Sequence, residues 1–143
     1  MSRTLITNAE LIDPEAGTVT RGSLLIEDGR ISRITPGDAQ GGAPRAARVI
    51  DANGRHLAPG IVDIGVKVCE PGERHKESFR SAGLAAAAGG VTTMATRPDT
   101  LPAIDSPEVL EFSRRRANEA APVNVLPMAA LTKGREGREM TEI

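Results

Sequence analysis

The residues best suited to chemistry lie in one apolar stretch near the middle of the chain. Asp63 and Glu70 offer carboxylates, Lys67 offers an ammonium group and Cys69 offers a thiol. Successive side chains of an extended strand alternate between two faces, so Asp63, Lys67 and Cys69 are predicted to share one face. Gly65 adds only backbone to that face. This stretch, where a predicted strand opens into a loop, is the candidate functional site.

Each of these groups also has a purely structural explanation. Cys69 is either a reactive thiol beside Lys67 or a small inert side chain, and we favour the second. Asp63 serves either the chemistry of the site or a buried hydrogen-bond network. His56 and His75 have no second histidine at the spacing of metal ligands, so surface or capping roles are favoured for both.

Length and composition bound the class of protein. The 143 residues, of which 39% are hydrophobic and 26% charged, suffice for one domain with an ordinary core. The net charge of −1 and the absence of Trp and Tyr argue against nucleic-acid binding. One cysteine cannot form an intrachain disulfide, and no segment reaches the roughly 18 consecutive apolar residues of a membrane helix. We therefore expect a cytoplasmic protein with no nucleic-acid and no membrane partner.

Residues 1–56 are predicted to form short antiparallel strands. A β-branched and apolar run over residues 4–12 ends at a turn containing Pro and Gly, and Asp28-Gly29 is the dipeptide that fits a tight type I′ hairpin. Residues 36–47, rich in Gly, Pro and Ala, are predicted to be a mobile surface loop. This portion is too thin to bury a large core by itself.

Residues 57–143 change to an alternation of strands and helices, which is typical of parallel β/α architecture. Strands are predicted over residues 61–68, 91–96 and 123–127, and helices over residues 77–88, after Ser106 and again after residue 134. Arginines 114–116 are predicted to lie on a solvated helix face rather than in a binding patch.

Several short motifs occur in a fixed order across these elements. They are Ala58-Pro-Gly-Ile-Val-Asp-Ile, Glu70-Pro-Gly, His75-Lys-Glu, Ala87-Ala-Gly-Gly-Val-Thr-Thr, Pro98-Asp-Thr, Asp105-Ser-Pro-Glu and Thr132-Lys-Gly. In order and spacing the set resembles the N-terminal part of dihydroorotase, in the amidohydrolase superfamily. Hydantoinases and allantoinases share the first motif, whereas the Glu-Pro-Gly and Pro-Asp-Thr loops look more like dihydroorotase.

The resemblance implies an α/β fold in two portions. Residues 1–56 correspond to part of a small antiparallel β-sandwich, and residues 57–143 to the first βα units of a (β/α)₈ TIM barrel. A complete barrel takes roughly 250 residues, so about three of its eight strands are expected here and the barrel is incomplete. An open parallel edge exposes backbone groups, so we expect a truncated chain or one completed by another polypeptide.

The resemblance also implies a metal site that this sequence has altered. Family members carry His-x-His on the first barrel strand, where both imidazoles ligate zinc. Gly65 and Lys67 occupy those positions. Gly65 has no side chain that could bind a metal, and Lys67 carries a positive charge. We therefore expect no catalytic residue, no metal and no cofactor in this chain, although zinc serves active relatives. One further hypothesis is that the Lys67 ammonium takes the place of the metal and holds neighbouring carboxylates together.

Two positions that the resemblance links to substrate binding differ as well. Cys69 replaces an arginine that helps to bind the substrate carboxylate, and Asp99 replaces the asparagine of a Pro-Asn-Thr loop. A carboxylate at position 99 is expected to repel an anionic substrate. The family-motif residues that are retained are Asp63, Glu70, Pro71 and Gly72.

Two functions follow from the resemblance. The first is a catalytically inactive dihydroorotase-like protein of pyrimidine biosynthesis, a pseudoenzyme that acts as a structural partner of aspartate transcarbamoylase or forms a homo-oligomer. The alternative is an active metal-dependent cyclic amidohydrolase, which interconverts dihydroorotate and carbamoyl aspartate with ligands supplied by later barrel strands. We favour the first, because turns and capping residues are intact while the chemical positions are altered.

Overall fold

The fold was taken from a computed structural model that describes residues 2–37 and 48–143. Backbone contacts divide the chain into two compact units, one ending at Pro59 and the other beginning at Gly60. The sequence places this boundary after residue 56. Within the described ranges, no helix is both long and apolar enough to cross a membrane.

The first unit is one five-stranded sheet. Its strands are β1 (Arg3–Asp13), β2 (Thr18–Glu27), β3 (Arg30–Pro36), β4 (Arg48–Asp51) and β5 (His56–Leu57). The order is β3-β2-β1-β4, and β5 pairs with a further part of β1. The buried side chains of Leu5, Ala9, Leu24 and Leu25 come from the two long central strands. The sheet thus carries a small core on β1 and β2.

Pairing in this sheet is mixed rather than wholly antiparallel. β1, β2 and β3 form the predicted antiparallel meander, whereas β4 and β5 run parallel to β1. The Asp28-Gly29 hairpin is confirmed, because both residues have the positive φ values, 48° and 78°, that a type I′ turn requires. Of the loop predicted over residues 36–47, the part after Gly37 lies outside the described residues.

The second unit alternates strands and helices. Its elements are β6 (Ile61–Val66), α1 (Phe79–Ala88), β7 (Val91–Thr96), α2 (Pro107–Ala120), β8 (Asn124–Pro127) and a 3₁₀ turn (Lys133–Arg135). The three strands lie in the order β6-β7-β8 and are all parallel. Two successive βα crossovers onto a parallel sheet confirm the predicted start of a (β/α)₈ barrel.

Both helices begin at a serine cap. The Ser78 hydroxyl accepts the Ser81 backbone N–H at 3.1 Å, and Ser106 caps α2 in the same way ahead of Pro107. One apolar cluster joins helices to strands, and its buried members are Val68, Phe79, Ala82, Met94, Ala117 and Val125. This cluster packs both helices against the parallel sheet.

In the second unit, β6 and the element after β8 differ from the prediction. β6 ends at Val66 rather than at residue 68, because its register against β7 shifts between Ile64 and Val66. The shift falls at Gly65, whose φ is +94°. The predicted alternation of side chains therefore stops at Gly65. After Thr132 only a 3₁₀ turn forms in place of a helix, since Gly134 takes a positive φ within it.

Candidate functional site

The loops that follow β6 and β7 are joined by backbone hydrogen bonds. The Arg97 N–H donates to the Val66 carbonyl at 2.9 Å, and the Leu101 N–H donates to the Pro71 carbonyl at 3.3 Å. The structure therefore brings the Glu-Pro-Gly and Pro-Asp-Thr motifs together at the carboxyl ends of two neighbouring parallel strands. In barrels of this type, catalytic and binding groups come from that end.

The Glu-Pro-Gly loop ends at a position, Gly72, that only glycine fits. A Cβ built at this position would lie 2.1 Å from the Leu101 carbonyl oxygen, and the φ of Gly72 is +100°. Either property disfavours any side chain. Gly72 therefore allows the close approach of the two loops.

Asp99 lies at the centre of a charged group that we call the Asp99 cluster, formed by Lys67, Arg97 and Asp99. One carboxylate oxygen, Oδ2, accepts from Lys67 Nζ at 3.2 Å and from an Arg97 guanidinium nitrogen at 3.0 Å. The Asp99 side chain is buried, whereas those of the two cations are about half exposed. The second carboxylate oxygen, Oδ1, is buried without a hydrogen-bond partner among the described residues.

The Asp99 cluster carries an excess of positive charge, because two cations share one carboxylate. Burial by itself raises the pKa of Asp99, but the Lys67 hydrogen bond and the charges of Arg97 and Lys67 outweigh burial and leave this pKa below its usual value. Asp99 therefore stays ionised at neutral pH. The repulsion expected between Asp99 and an anion is opposed by the two cations on the same oxygen.

Glu70 organises a second group, the Glu70 cluster, formed by Glu70, Arg74, Arg116 and Glu119. The buried Glu70 carboxylate accepts the Phe79 backbone N–H at 3.1 Å through one oxygen. The other oxygen accepts Arg116 Nε at 3.1 Å and lies 3.8 Å from Arg74 Nε. Glu70 thereby ties its loop to the first turn of α1 and to the middle of α2.

Arg116 is a residue whose role the sequence prediction missed. It lies on α2 with a side chain only 25% exposed, and it also pairs with Glu119 at 3.0 Å. Hydrogen bonds to Glu70 and then to Glu119 raise the pKa of Arg116 above its usual value. The predicted solvated face is thus wrong for Arg116. The helical spacing of the sequence could have indicated that Arg116 faces the protein, because Arg116 is next to the buried Ala117 and three residues after the buried Ser113.

The other predicted site residues lie outside these two clusters. Asp63 is exposed on β6, and its carboxylate makes no hydrogen bond or ion pair within the described ranges, so it does not belong to a buried network. Cys69 is buried, which suits an inert side chain. His75 is exposed in the loop before α1, and His56 is exposed on β5 in the first unit. The structure gives neither histidine a partner histidine.

The residues at the end of β6 do not fit a divalent metal ion. Gly65 offers no ligand, and the Lys67 ammonium is occupied by Asp99 and repels a metal cation. In the part of the chain that the structure describes, no three His, Cys, Asp or Glu side chains group closely enough to hold a metal ion.

Three parallel strands joined by βα crossovers, with charged side chains at their carboxyl ends, form the N-terminal portion of a (β/α)₈ barrel. The profile of the family described as Dihydro-orotase-like matches residues 54–143. This chain belongs to that dihydroorotase-like family, and the resemblance predicted from the motifs is confirmed.

Similar proteins support the same assignment. A dihydroorotase of Bacillus cytotoxicus is 44% identical over 128 residues, which cover 90% of this chain and 29% of the relative. An L-hydantoinase from Arthrobacter aurescens has a TM-score of 0.80 at 23% identity, covering 92% of this chain and 28% of that chain. A D-hydantoinase has a TM-score of 0.74 at 27% identity, covering 91% and 27%. The chain thus spans under a third of the length of these relatives.

The relatives overturn one prediction, namely that the protein is not an enzyme. The similar proteins are named dihydroorotase and hydantoinase, and both are hydrolases. The prediction rested on Gly65, Lys67, Cys69 and Asp99, whereas the chain spans only 29% of the dihydroorotases that it matches. Four altered positions in a part of that size do not determine the chemistry of a whole barrel.

Proposed function

We propose that the chain forms the N-terminal part of a cyclic-amide hydrolase of pyrimidine biosynthesis, acting between dihydroorotate and carbamoyl aspartate. The observation that carries this proposal is the 44% identity with a dihydroorotase over 90% of the chain. The retained Glu-Pro-Gly loop and its contacts with the loop after β7 support it, because they shape the end of the barrel where substrates bind.

Charge favours dihydroorotate over uncharged cyclic amides. Dihydroorotate carries a carboxylate, whereas hydantoin carries none. The Asp99 cluster offers a positive excess at the carboxyl strand ends, where an anionic ring gains charge-assisted hydrogen bonds. The residues of this chain thus serve to bind and orient the anion, and the described part assigns no bond-breaking step to them.

A substrate comparison tests the proposal. The full-length protein that contains this chain is assayed with dihydroorotate and with hydantoin, and the Bacillus cytotoxicus dihydroorotase serves as a positive control. We expect hydrolysis of dihydroorotate with a kcat/KM at least about tenfold above that for hydantoin, which is the value of one charge-assisted hydrogen bond. Equal rates on both rings, or no turnover where the control enzyme is active, would contradict the proposal.

We also propose association with aspartate transcarbamoylase, independently of whether the protein is catalytic. Support comes from the family resemblance and from two large apolar side chains on loops after β7 and β8. These are Leu101 and Leu131, which are 67% and 72% exposed. Size-exclusion chromatography with light scattering should detect a mixed complex that a Leu101→Ser/Leu131→Ser variant weakens. Elution of the two proteins as separate species or as homo-oligomers would refute the association.

A further inference from the structure

We infer that Arg116, in the middle of α2, is a positioning residue for the carboxyl end of β6. Through the Glu70 carboxylate it holds the Glu-Pro-Gly loop, residues 70–72, against the loop that follows β7. The inference rests on the proposed function for the reaction that this end of the barrel serves. It adds a residue that acts through another side chain, from a helix rather than from a strand end.

The Glu70 carboxylate depends on donors from the protein. Its side chain is only 5% exposed, so water contributes little to its solvation. One oxygen, Oε2, accepts the Phe79 backbone N–H, and the other, Oε1, accepts Arg116 Nε, each at 3.1 Å. Arg74 Nε lies 3.8 Å from Oε1, beyond hydrogen-bond distance, and its side chain is 67% exposed. Among the described residues, Arg116 is therefore the cation that hydrogen-bonds this carboxylate.

Arg116 is itself held on two sides. Its Nη1 donates to Glu119 Oε2 at 3.0 Å, while its Nε donates to Glu70. The next residue, Ala117, is 1% exposed and anchors this part of α2 in the apolar cluster. A guanidinium carries five N–H donors in a fixed plane, so one arginine serves both carboxylates at once. A lysine has a single nitrogen and does not reproduce this geometry.

Glu70 begins the loop that meets the loop after β7. The carbonyl of the next residue, Pro71, accepts the Leu101 backbone N–H at 3.3 Å. Gly72 lies so close to Leu101 that an added Cβ would be 2.1 Å from its carbonyl oxygen. Leu101 in turn follows Asp99 by two residues. A shift of Glu70 is thus transmitted to the loop after β7, at the end where substrates bind in barrels of this type.

Amide hydrogen exchange on the full-length protein tests the inference without any substrate. The Leu101 N–H reports the contact between the two loops. The Ala130 N–H, which donates to the Ile104 carbonyl at 2.7 Å, is the reference, because it joins the loops after β7 and β8. In Arg116→Ala we expect exchange to become about tenfold faster at Leu101, the value of one charge-assisted hydrogen bond, and to stay unchanged at Ala130. No change at Leu101, or equal acceleration at both amides, would overturn the inference.

Arg114→Ala is the matched control on the same helix. Arg114 pairs with Glu111 rather than with Glu70, and its side chain is 62% exposed, so exchange at Leu101 should equal that of the unaltered protein. If Arg116→Ala does not fold, Arg116→Lys and Arg114→Lys replace the two alanine variants, because lysine keeps the charge and loses the double hydrogen bond. Faster exchange at Leu101 is then expected in Arg116→Lys alone. Equal exchange in the two lysine variants would contradict the inference.

Activity separates positioning from a role in stability alone. Kinetics with dihydroorotate are measured at a temperature at which circular dichroism shows Arg116→Ala to be folded. We expect kcat/KM to fall at least about tenfold, because a displacement of about 1 Å at a site costs up to about a hundredfold in rate. Arg114→Ala should keep the kcat/KM of the unaltered protein. An unchanged kcat/KM in folded Arg116→Ala would also overturn the inference.

The outcomes separate this inference from the proposed function. If the unaltered protein does not hydrolyse dihydroorotate but exchange at Leu101 depends on Arg116, the proposed function fails and the positioning of the loop by Arg116 stands. If dihydroorotate is hydrolysed while exchange at Leu101 is the same in Arg116→Ala, the inference fails alone.

Discussion

The Glu70 cluster and the Asp99 cluster begin within three residues of each other along the chain, yet they differ in what their charges contact. Glu70 is buried, and its carboxylate is used by a backbone N–H of α1 and by Arg116 of α2. The Asp99 side chain is 9% exposed, and its partners Lys67 and Arg97 are half exposed and retain free donors. One carboxylate thus connects parts of the scaffold, whereas the other holds cations at the surface.

This difference explains which motif residues are retained. Glu70, Pro71 and Gly72 keep the family pattern, and in the structure they join loops and helices. The altered positions, Lys67 and Asp99, meet each other in an ion pair instead. The Glu70, Pro71 and Gly72 positions therefore serve the architecture here, whereas Lys67 and Asp99 form an ion pair at the carboxyl ends of the strands.

The largest effect is expected from removing the Glu70 carboxylate. Glu70→Ala leaves the Phe79 N–H and the Arg116 guanidinium without their acceptor, and breaking a buried ion pair in this way costs about 3 kcal/mol of unfolding free energy. Urea unfolding measures the loss. Glu73→Ala is the control, because Glu73 forms its ion pair with the exposed Lys76 and should change stability far less. Equal losses in the two variants would show that the buried Glu70 carboxylate contributes no more to stability than an exposed ion pair does.

A smaller effect is expected at Gly65, beside the Asp99 cluster. An added Cβ would meet no atom within 4 Å, so only the positive φ opposes it. Gly65→Ala should therefore lower the unfolding free energy by about 1–2 kcal/mol, the cost of the left-handed region for an L-residue. Gly89→Ala is the control, since Gly89 has a φ of −87° and ordinary contacts. If Gly65→Ala has the same unfolding free energy as the unaltered protein, the shifted register of β6 does not depend on glycine at position 65.

The smallest effect concerns acid stability. The pKa of Asp99 is lowered in the folded protein, so its ion pairs stabilise the fold above the unfolded pKa of about 3.9 and lose this contribution as the pH falls through the lower folded pKa. Unfolding midpoints measured at a series of pH values above and below about 3.9 give the slope. Asp99→Asn should flatten the acid part of the curve. An unchanged slope would mean that Asp99 contributes nothing through its charge.

Local signals predicted most of the fold. The Asp28-Gly29 hairpin and the Ser106 cap of α2 depend on neighbouring residues, so the sequence alone indicates them. The shift at Gly65 depends on the register against β7, which follows a whole helix later. No local pattern contains that information.

The candidate site was predicted less completely for the same reason. Lys67 and Asp99 were recognised as altered positions, but their ion pair joins residues 32 apart. Glu70 and Arg116 are 46 residues apart. Such pairs arise only when two βα units have packed side by side, so they could not be deduced from spacing along the chain.

The exposed apolar side chains of β6 have a consequence for the synthesis of the protein on the ribosome. Ile61, Val62 and Ile64 are exposed even in the folded chain, and Ile61 pairs with Val91, about 30 residues later. At roughly 5–20 residues per second, a ribosome needs a few seconds to supply that partner. During this interval the strand presents an apolar, unpaired edge to the cell. Translation is thus the period in which this edge is most open to pairing with another chain.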